Sequence, residues 1–350
     1  MTEAQEQFDL TITGCVALRS DSGIDARFEP GTTIGIRDGV IRSIGPDQKP
    51  ATGKTIDAAG LVAIPGLINC HAHGAMTLFR GIAEDVPVHD WFNKYVWPME
   101  INLTPEDVYL GTLLACAEMI ASGVTSFADH YFYMDDAARA VTDSGMRANL
   151  GWAFFSKSEA GEGLEMSAAF AERWNGGADG RITTSLAPHS TYLCNDDDLS
   201  GSAEHARRLG IRVHLHAAEN MNQTVSSLSS RGITPMKVLE QTGILDAGVI
   251  IAHGCGITSE DIPMLAEHKE TLGVAHCPKV YLKHALAPLT PIRELNAAGI
   301  TLIRPSLRNE APRPGPRLLR AFRQTIESVN QTLKAQLDLE RHGGRTKPGV

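Results

Sequence analysis

From residue 63 to residue 303 the chain repeats one unit, a short apolar run followed by a segment with helical spacing. The runs are VTSFA (124–128), RANLGWAFF (147–155), ITTSLA (182–187), IRVHLHA (211–217), GVIIAHG (248–254) and LGVAHCP (272–278). A first run ends in PGLINCHAH, and a last one opens at Gly299-Ile300-Thr301-Leu302. Helices are predicted between them over 135–144, 162–174, 197–209 and 290–298. The clearest start is Thr104-Pro105-Glu106-Asp107, a cap residue with proline at the first helical position and an acidic first turn. Leu110, Leu113, Leu114 and Ala117 then form the expected buried stripe, and Gly123 stops the helix. Alternating strands and helices require a parallel sheet, and seven or eight repeats suit a (β/α)8 TIM barrel, an α/β fold. The competing doubly wound sheet usually opens on a glycine-rich phosphate loop, and no G-x-G-x-x-G follows an early strand here.

Residues 1–62 read differently. DLTITG, TTIGIRDGVIRSIG and KTIDAAG alternate apolar and polar positions, and Asp38-Gly39 is a strong hairpin signal, so a small β unit precedes the barrel. The chain of 350 residues is 43% hydrophobic and 21% charged, which is ample for a core and excludes disorder. The longest uncharged stretch, Ala58 to Phe79, is broken by Pro65, Asn69, His71 and His73, so no membrane span is expected. Glu3, Glu6 and Asp9 precede any apolar run, which is unlike a signal peptide. Six cysteines without a C-x-x-C pair read as reduced thiols of a cytoplasmic protein. A net charge of −9 argues against nucleic-acid binding.

The histidines carry the chemistry. His71 and His73 end the first barrel strand, His189 follows the fourth, His216 ends the fifth three residues before Glu219, and His253 ends the sixth. In barrels these C-terminal strand ends build the active site. Two histidines two apart on a strand point to one side, and a third imidazole completes a three-nitrogen site with an open position, the pattern of catalytic zinc. His214 and His216 form a second His-x-His pair; the nearby Glu219 favours His216 as the ligand and leaves His214 to packing. His276 has no acidic partner in sequence and reads as structural, and His268 and His342 read as surface residues.

PGLINCHAHGAMTLFRGIAEDVPVHDW, GVTSFADHYF, APHSTY, HLHAAE, IAHG and HCPKVYLK together resemble the amidohydrolase superfamily. The resemblance runs from about residue 8 to 303. The branch is that of S-adenosylhomocysteine/methylthioadenosine deaminases, guanine and cytosine deaminases and triazine hydrolases. It implies a distorted barrel with a small β-sandwich built from both chain ends, and one divalent metal, zinc before iron. By position it implies His71, His73 and His216 as metal ligands, Glu219 as proton shuttle, His253 as partner of the attacking water, and His189 and Trp91 as pocket lining. The implied reaction is deamination of an N-heterocycle (purine or nucleoside, pterin, cytosine or triazine) by a metal-activated water. Triazine dechlorination uses the same site with another leaving group. The implied partner is a small molecule, with a homo-oligomer by analogy.

The chain departs from the pattern at strand eight, where the family carries an aspartate ligand. No aspartate lies between Asp261 and Asp338, and strand eight gives way to IRPSLRNEAPRPGPRLLR. Residues 304–350 hold ten Lys and Arg against four Asp and Glu, a basic segment on an acidic body. Strand eight and the returning sandwich strands are therefore expected to be lacking. Two origins stay open, a shifted reading frame near codon 303 and a variant end with an amphipathic helix over 317–338. Both imply impaired turnover, and the missing aspartate also admits a metal-binding pseudoenzyme or a truncated gene product.

Overall fold

The computed structural model describes residues 8–20, 26–46, 53–83, 86–156, 163–278 and 290–303. They fall into two compact units that part after Pro65, the second starting at Gly66. In the first, strands β1 (Leu10–Ser20), β2 (Ala26–Arg37), β3 (Val40–Gly45) and β4 (Lys54–Asp57) lie in the order β3-β2-β1-β4, and β5 (Val62–Ala63) also pairs with β1. The β2–β3 hairpin turns at Asp38 and Gly39, with φ of 53° and 70°. Both central residues are left-handed, the arrangement whose twist matches the flanking strands. Cys15, Ala17, Ile34 and Ala58 form the core of this sheet.

The second unit is an eight-stranded parallel sheet paired in chain order. Its strands are β6 (Leu67–Ala72), β7 (Val124–Tyr131), β8 (Arg147–Phe154), β9 (Ile182–Pro188), β10 (Arg212–Ala217), β11 (Val249–His253), β12 (Leu272–Ala275) and β13 (Thr301–Ile303). This is the expected α/β barrel architecture. Strand eight, expected to be lacking, is present as the three-residue β13, which pairs Gly273 with Thr301 and Ala275 with Ile303. Gly299, at φ 75°, turns the chain into it. Residues 304–350, with the expected basic tail, the 317–338 helix, His342 and any returning sandwich strands, lie outside the described residues. Among the described residues no helix is long and apolar enough to cross a membrane.

Helices on the outer face start where polar caps satisfy their first free N–H groups. Asn195, Asn220 and Thr234 each accept from a backbone N–H three residues on, and Thr104 and Asp107 form a reciprocal capping box. The helix Pro105–Ala121 nevertheless buries a different face from the one expected. Leu110 and Leu114 are exposed, whereas Val108, Gly111, Thr112, Ala115 and Cys116 are buried. Close backbone approach decides this. Gly111 faces the backbone of Ala75, in the 3-10 turn Gly74–Phe79 that follows the His71/His73 strand, and the Thr77 hydroxyl donates to the Gly111 carbonyl at 2.7 Å. Small side chains admit that contact and leucines do not.

Gly111 therefore supports the segment that carries His73. A Cβ there would lie 2.6 Å from the Ala75 carbonyl oxygen and 2.9 Å from its Cα. Gly111→Ala is expected to lower unfolding free energy by about 1–3 kcal/mol, the usual cost of overpacking. Urea denaturation measures it, and an unchanged midpoint would show that the contact relaxes freely.

Candidate functional site

The C-terminal ends of the strands converge on a cluster of imidazoles. His71 and His73 come from β6 and its end, His130 from β7, His189 from the turn after β9, His214 and His216 from β10, and His253 from the end of β11. The rings of His71, His73 and His216 stand 4.8–5.3 Å apart, centre to centre. His216 stacks on His253 at 5.6 Å and lies 4.6 Å from His189.

Each of the three expected ligands has its Nδ1 occupied by a neighbour. His73 Nδ1–H donates to the His130 carbonyl at 2.7 Å, and His216 Nδ1–H donates to the His189 carbonyl at 2.8 Å. His71 Nδ1 is 3.0 Å from His214 Nε2. The opposite nitrogens face one another: Nε2 of His73 and of His216 are 3.4 Å apart, and buried Nε2 of His71 has no hydrogen-bond partner among the described residues. Two imidazoles on one tetrahedral zinc stand about 3.3 Å apart between nitrogens. Outer partners that fix the far ring nitrogen are also what metal-binding histidines use. The donor set fits a divalent metal. Among the described residues two triads can hold one, His71 with His216 and His253, and His73 with His130 and His216.

Glu219 flanks this cluster. Its carboxylate accepts from the Gln223 amide at 2.7 Å and the Tyr192 hydroxyl at 3.3 Å, and Oε1 is 3.8 Å from His253 Nε2. Burial pushes the Glu219 carboxyl up, but His253 and His216, with the Gln223 and Tyr192 hydrogen bonds, hold it below its ordinary value. The backbone is strained at both residues that aim this pair: Ala218 has φ of 47° and His253 has φ of 79°. A non-glycine residue in that region costs about 1–3 kcal/mol, a cost that clusters at functional sites.

A cavity of about 650 Å³ lies beside the cluster, lined by Phe92, Trp97, Glu100, Phe132, Phe155 and Tyr192, among others. Phe155 is 4.9 Å from the His189 ring, so His189 stands between cavity and cluster. Trp91 is half-buried at the start of the π-helical turn Trp91–Val96, whose Phe92 and Asn93 line the cavity. Thus His71, His73, His189, His216, Glu219 and His253 are brought together, and Trp91 stands on the segment that supplies the cavity wall.

Sequence reasoning passed over several members. His130 ends β7 in ADHYF, where the strand-end rule applied to the other histidines would have found it. His214 is fully buried against His71, which makes it an orienting partner as well as a packing residue. Asp129 is fully buried, and its Oδ1 accepts from the backbone N–H groups of Gly74 and His130. Burial raises its carboxyl to about 7 against those two bonds. The Tyr131 hydroxyl donates to Glu100 at 2.6 Å, linking β7 to the cavity wall. His276 reaches Thr290 Oγ1 at 3.0 Å, and that hydroxyl donates to the His253 carbonyl, so His276 supports the strained strand end. His268, expected at the surface, is half-buried with Nδ1 3.4 Å from Asp246.

Burial, reinforced by the neighbouring imidazoles, holds His73 and His216 at about 4 and His214 at about 3. Between pH 4 and 6.5 the unfolded chain binds protons there that the folded cluster refuses, so these groups make stability fall as pH falls. Asp129 works the other way, keeping a proton that the unfolded chain loses, but one carboxyl opposes His71, His73, His130, His189, His214, His216 and His253, all held below the ordinary histidine value. Chelator-treated protein is expected to be less stable in urea at pH 5 than at pH 7, with a lower unfolding midpoint. Equal midpoints would show that the rings are not held neutral.

Residues 62–328 match the amidohydrolase family, past the residue 303 at which the resemblance was expected to stop. Over 297 residues the chain is 39% identical to the 5-methylthioadenosine/S-adenosylhomocysteine deaminase of Pelotomaculum thermopropionicum, covering 83% of this chain and 68% of that one. It is 38% identical to the 5'-deoxyadenosine deaminase of Methanosarcina acetivorans, with 84% and 68% covered. The chain spans 57–68% of the length of the curated relatives it matches. Its fold is similar to the crystal structure of an adenosine deaminase from Xanthomonas campestris with bound zinc, at a TM-score of 0.79, 29% identity and coverage of 85% and 69%. Sequence and fold agree with the site geometry, and the chain belongs to the amidohydrolase family.

Proposed function

We propose that this chain hydrolyses the exocyclic C–N bond of an adenine-type N-heterocycle, releasing ammonia. The observation that carries the reading is the buried imidazole cluster, in which His73 and His216 face each other through Nε2 and His71 groups with His216 and His253, with the Glu219 carboxylate beside it, tied to the cavity-lining Tyr192. His71, His73 and His216 would hold the metal, and the zinc of the related adenosine deaminase favours that ion here. When bound, a divalent ion supplies Lewis-acid activation of water.

The remaining chemistry belongs to the chain's own side chains. Glu219, its carboxylate held by the Gln223 and Tyr192 hydrogen bonds, takes one proton from the attacking water and delivers it to the heterocycle's ring nitrogen, and the water's second proton passes to the amino group, which leaves as ammonia. His253, 3.8 Å from Glu219, would hydrogen-bond that water and steady charge at the carbon under attack. Gln223 and Tyr192 hold the carboxylate in place for both transfers. His189 and the Trp91 segment position the ring, and Phe92, Trp97, Phe132 and Phe155 offer flat apolar surface for stacking. The cavity suits the adenosine derivatives named for the relatives better than a small triazine.

Turnover is expected to be slow, because no aspartate lies between Asp261 and Asp338 to share the proton work. That same absence favours the second reading, a metal-binding subunit without catalysis. Ammonia release from 5'-methylthioadenosine, S-adenosylhomocysteine, 5'-deoxyadenosine, guanine and a chlorotriazine separates them. The first reading expects slow release from the adenine derivatives, reduced by about 10²–10⁴ in Glu219→Gln with metal content unchanged. Stoichiometric metal without ammonia supports the non-catalytic reading, and brisk turnover refutes the impairment.

A further inference from the structure

We propose that His130 is a fourth imidazole donor of the metal centre, beside His71, His73 and His216. The inference rests on the metal-centre reading above. The described part of strand eight, Thr301–Ile303, carries no carboxylate, and the next aspartate in the chain is Asp338. Beside His71, His73 and His216 the cluster holds further imidazoles, and among the described residues His130 and His253 are the two whose ring nitrogens group with theirs.

Three observations converge on His130. It is 1% exposed, and its Nε2 is buried without a hydrogen-bond partner among the described residues. Buried polar atoms are nearly always partnered, so such an atom marks a missing ligand, ion or water. Its ring lies 4.8 Å from that of His216 and 6.1 Å from that of His73. The ligand nitrogens of His73, His130 and His216 all lie within 4.8 Å of one another, close enough for small ring rotations to bring them onto one ion.

The backbone at His130 is already built into the centre. Its carbonyl takes the Nδ1–H of His73, and its N–H is held by Asp129 Oδ1, which also holds the Gly74 N–H beside His73. The β7 end and the His-x-His segment are thus clamped together twice, which fixes where the His130 ring starts. His214 falls in neither group of three that could share an ion, and its Nε2 is engaged with His71 Nδ1; His253 groups with His71 and His216, whereas His130 groups with His73 and His216. A neutral imidazole in place of a carboxylate would keep the ion's full double charge in the centre.

The test uses the full 350-residue chain as wild type, His130→Met and His73→Ala. Zinc affinity is read by competition with a chromophoric chelator, and donor geometry from the visible bands of the cobalt-substituted protein. His130→Met is expected to weaken zinc binding roughly 10–100-fold and to shift the cobalt bands. Unchanged affinity and an unchanged spectrum in His130→Met, with binding lost in His73→Ala, would overturn the role of His130 and leave the metal-centre reading standing. A wild-type chain that binds no metal overturns both. If circular dichroism shows that His130→Met does not fold, nitrogen NMR of histidine-labelled, zinc-loaded wild type decides. A ligated ring nitrogen assigned to His130 supports the proposal, and an unligated His130 ring refutes it.

Discussion

The hydrogen bonds to Nδ1 of His71, His73 and His216 are the constraint on which the rest of the site depends. An imidazole buried in a barrel mouth can turn either nitrogen inward, and nothing in its own chemistry selects one. Here the His130 and His189 carbonyls and His214 Nε2 each occupy Nδ1, which leaves the Nε2 atoms to turn inward, and those of His73 and His216 are 3.4 Å apart. Two of these partners are backbone atoms at strand ends. The orientation of the rings is therefore tied to the pairing of β6 with β7 and of β9 with β10, and the sheet itself sets the geometry of the centre.

The same crowding sets the cost of the site. Rings this close cannot all be charged, and burial removes the water that would stabilise the cations, so the cluster stays neutral well below the ordinary histidine range. Neutral imidazole is the form that binds a metal. Positive φ at Ala218 and His253 adds backbone strain, and the His276–Thr290 contact braces His253 from behind. The extensive cores around β7–β8 and β9–β12 offset these local losses.

The barrel was legible because its signals are local. Six of the eight strands begin within one residue of where the apolar runs place them or are preceded by a motif that ends on the strand, and the Thr104 cap and Asp38-Gly39 turn act through neighbours in sequence. His71, His73, His216, Glu219 and His253 were legible because period-two spacing and strand ends mark them. The buried face of Pro105–Ala121 was not. A leucine stripe predicts burial only if the partner surface is a side-chain layer, and here the partner is the Ala75 backbone, which Gly111 and Ala115 fit. His130 stood in plain view, but a single histidine carries no direction without the strand beside it.

By itself, the sequence determined which residues alternate into strands, where the helices cap, and which histidines occupy strand ends, since each depends on neighbours a few positions away. It also determined that no aspartate follows strand eight before Asp338. Only the tertiary structure decided which ring nitrogens find hydrogen-bond partners, that His214 orients His71, and that His130 packs against His216 from β7. Those outcomes depend on contacts between residues 57 to 143 positions apart, made only when the strands are paired in register.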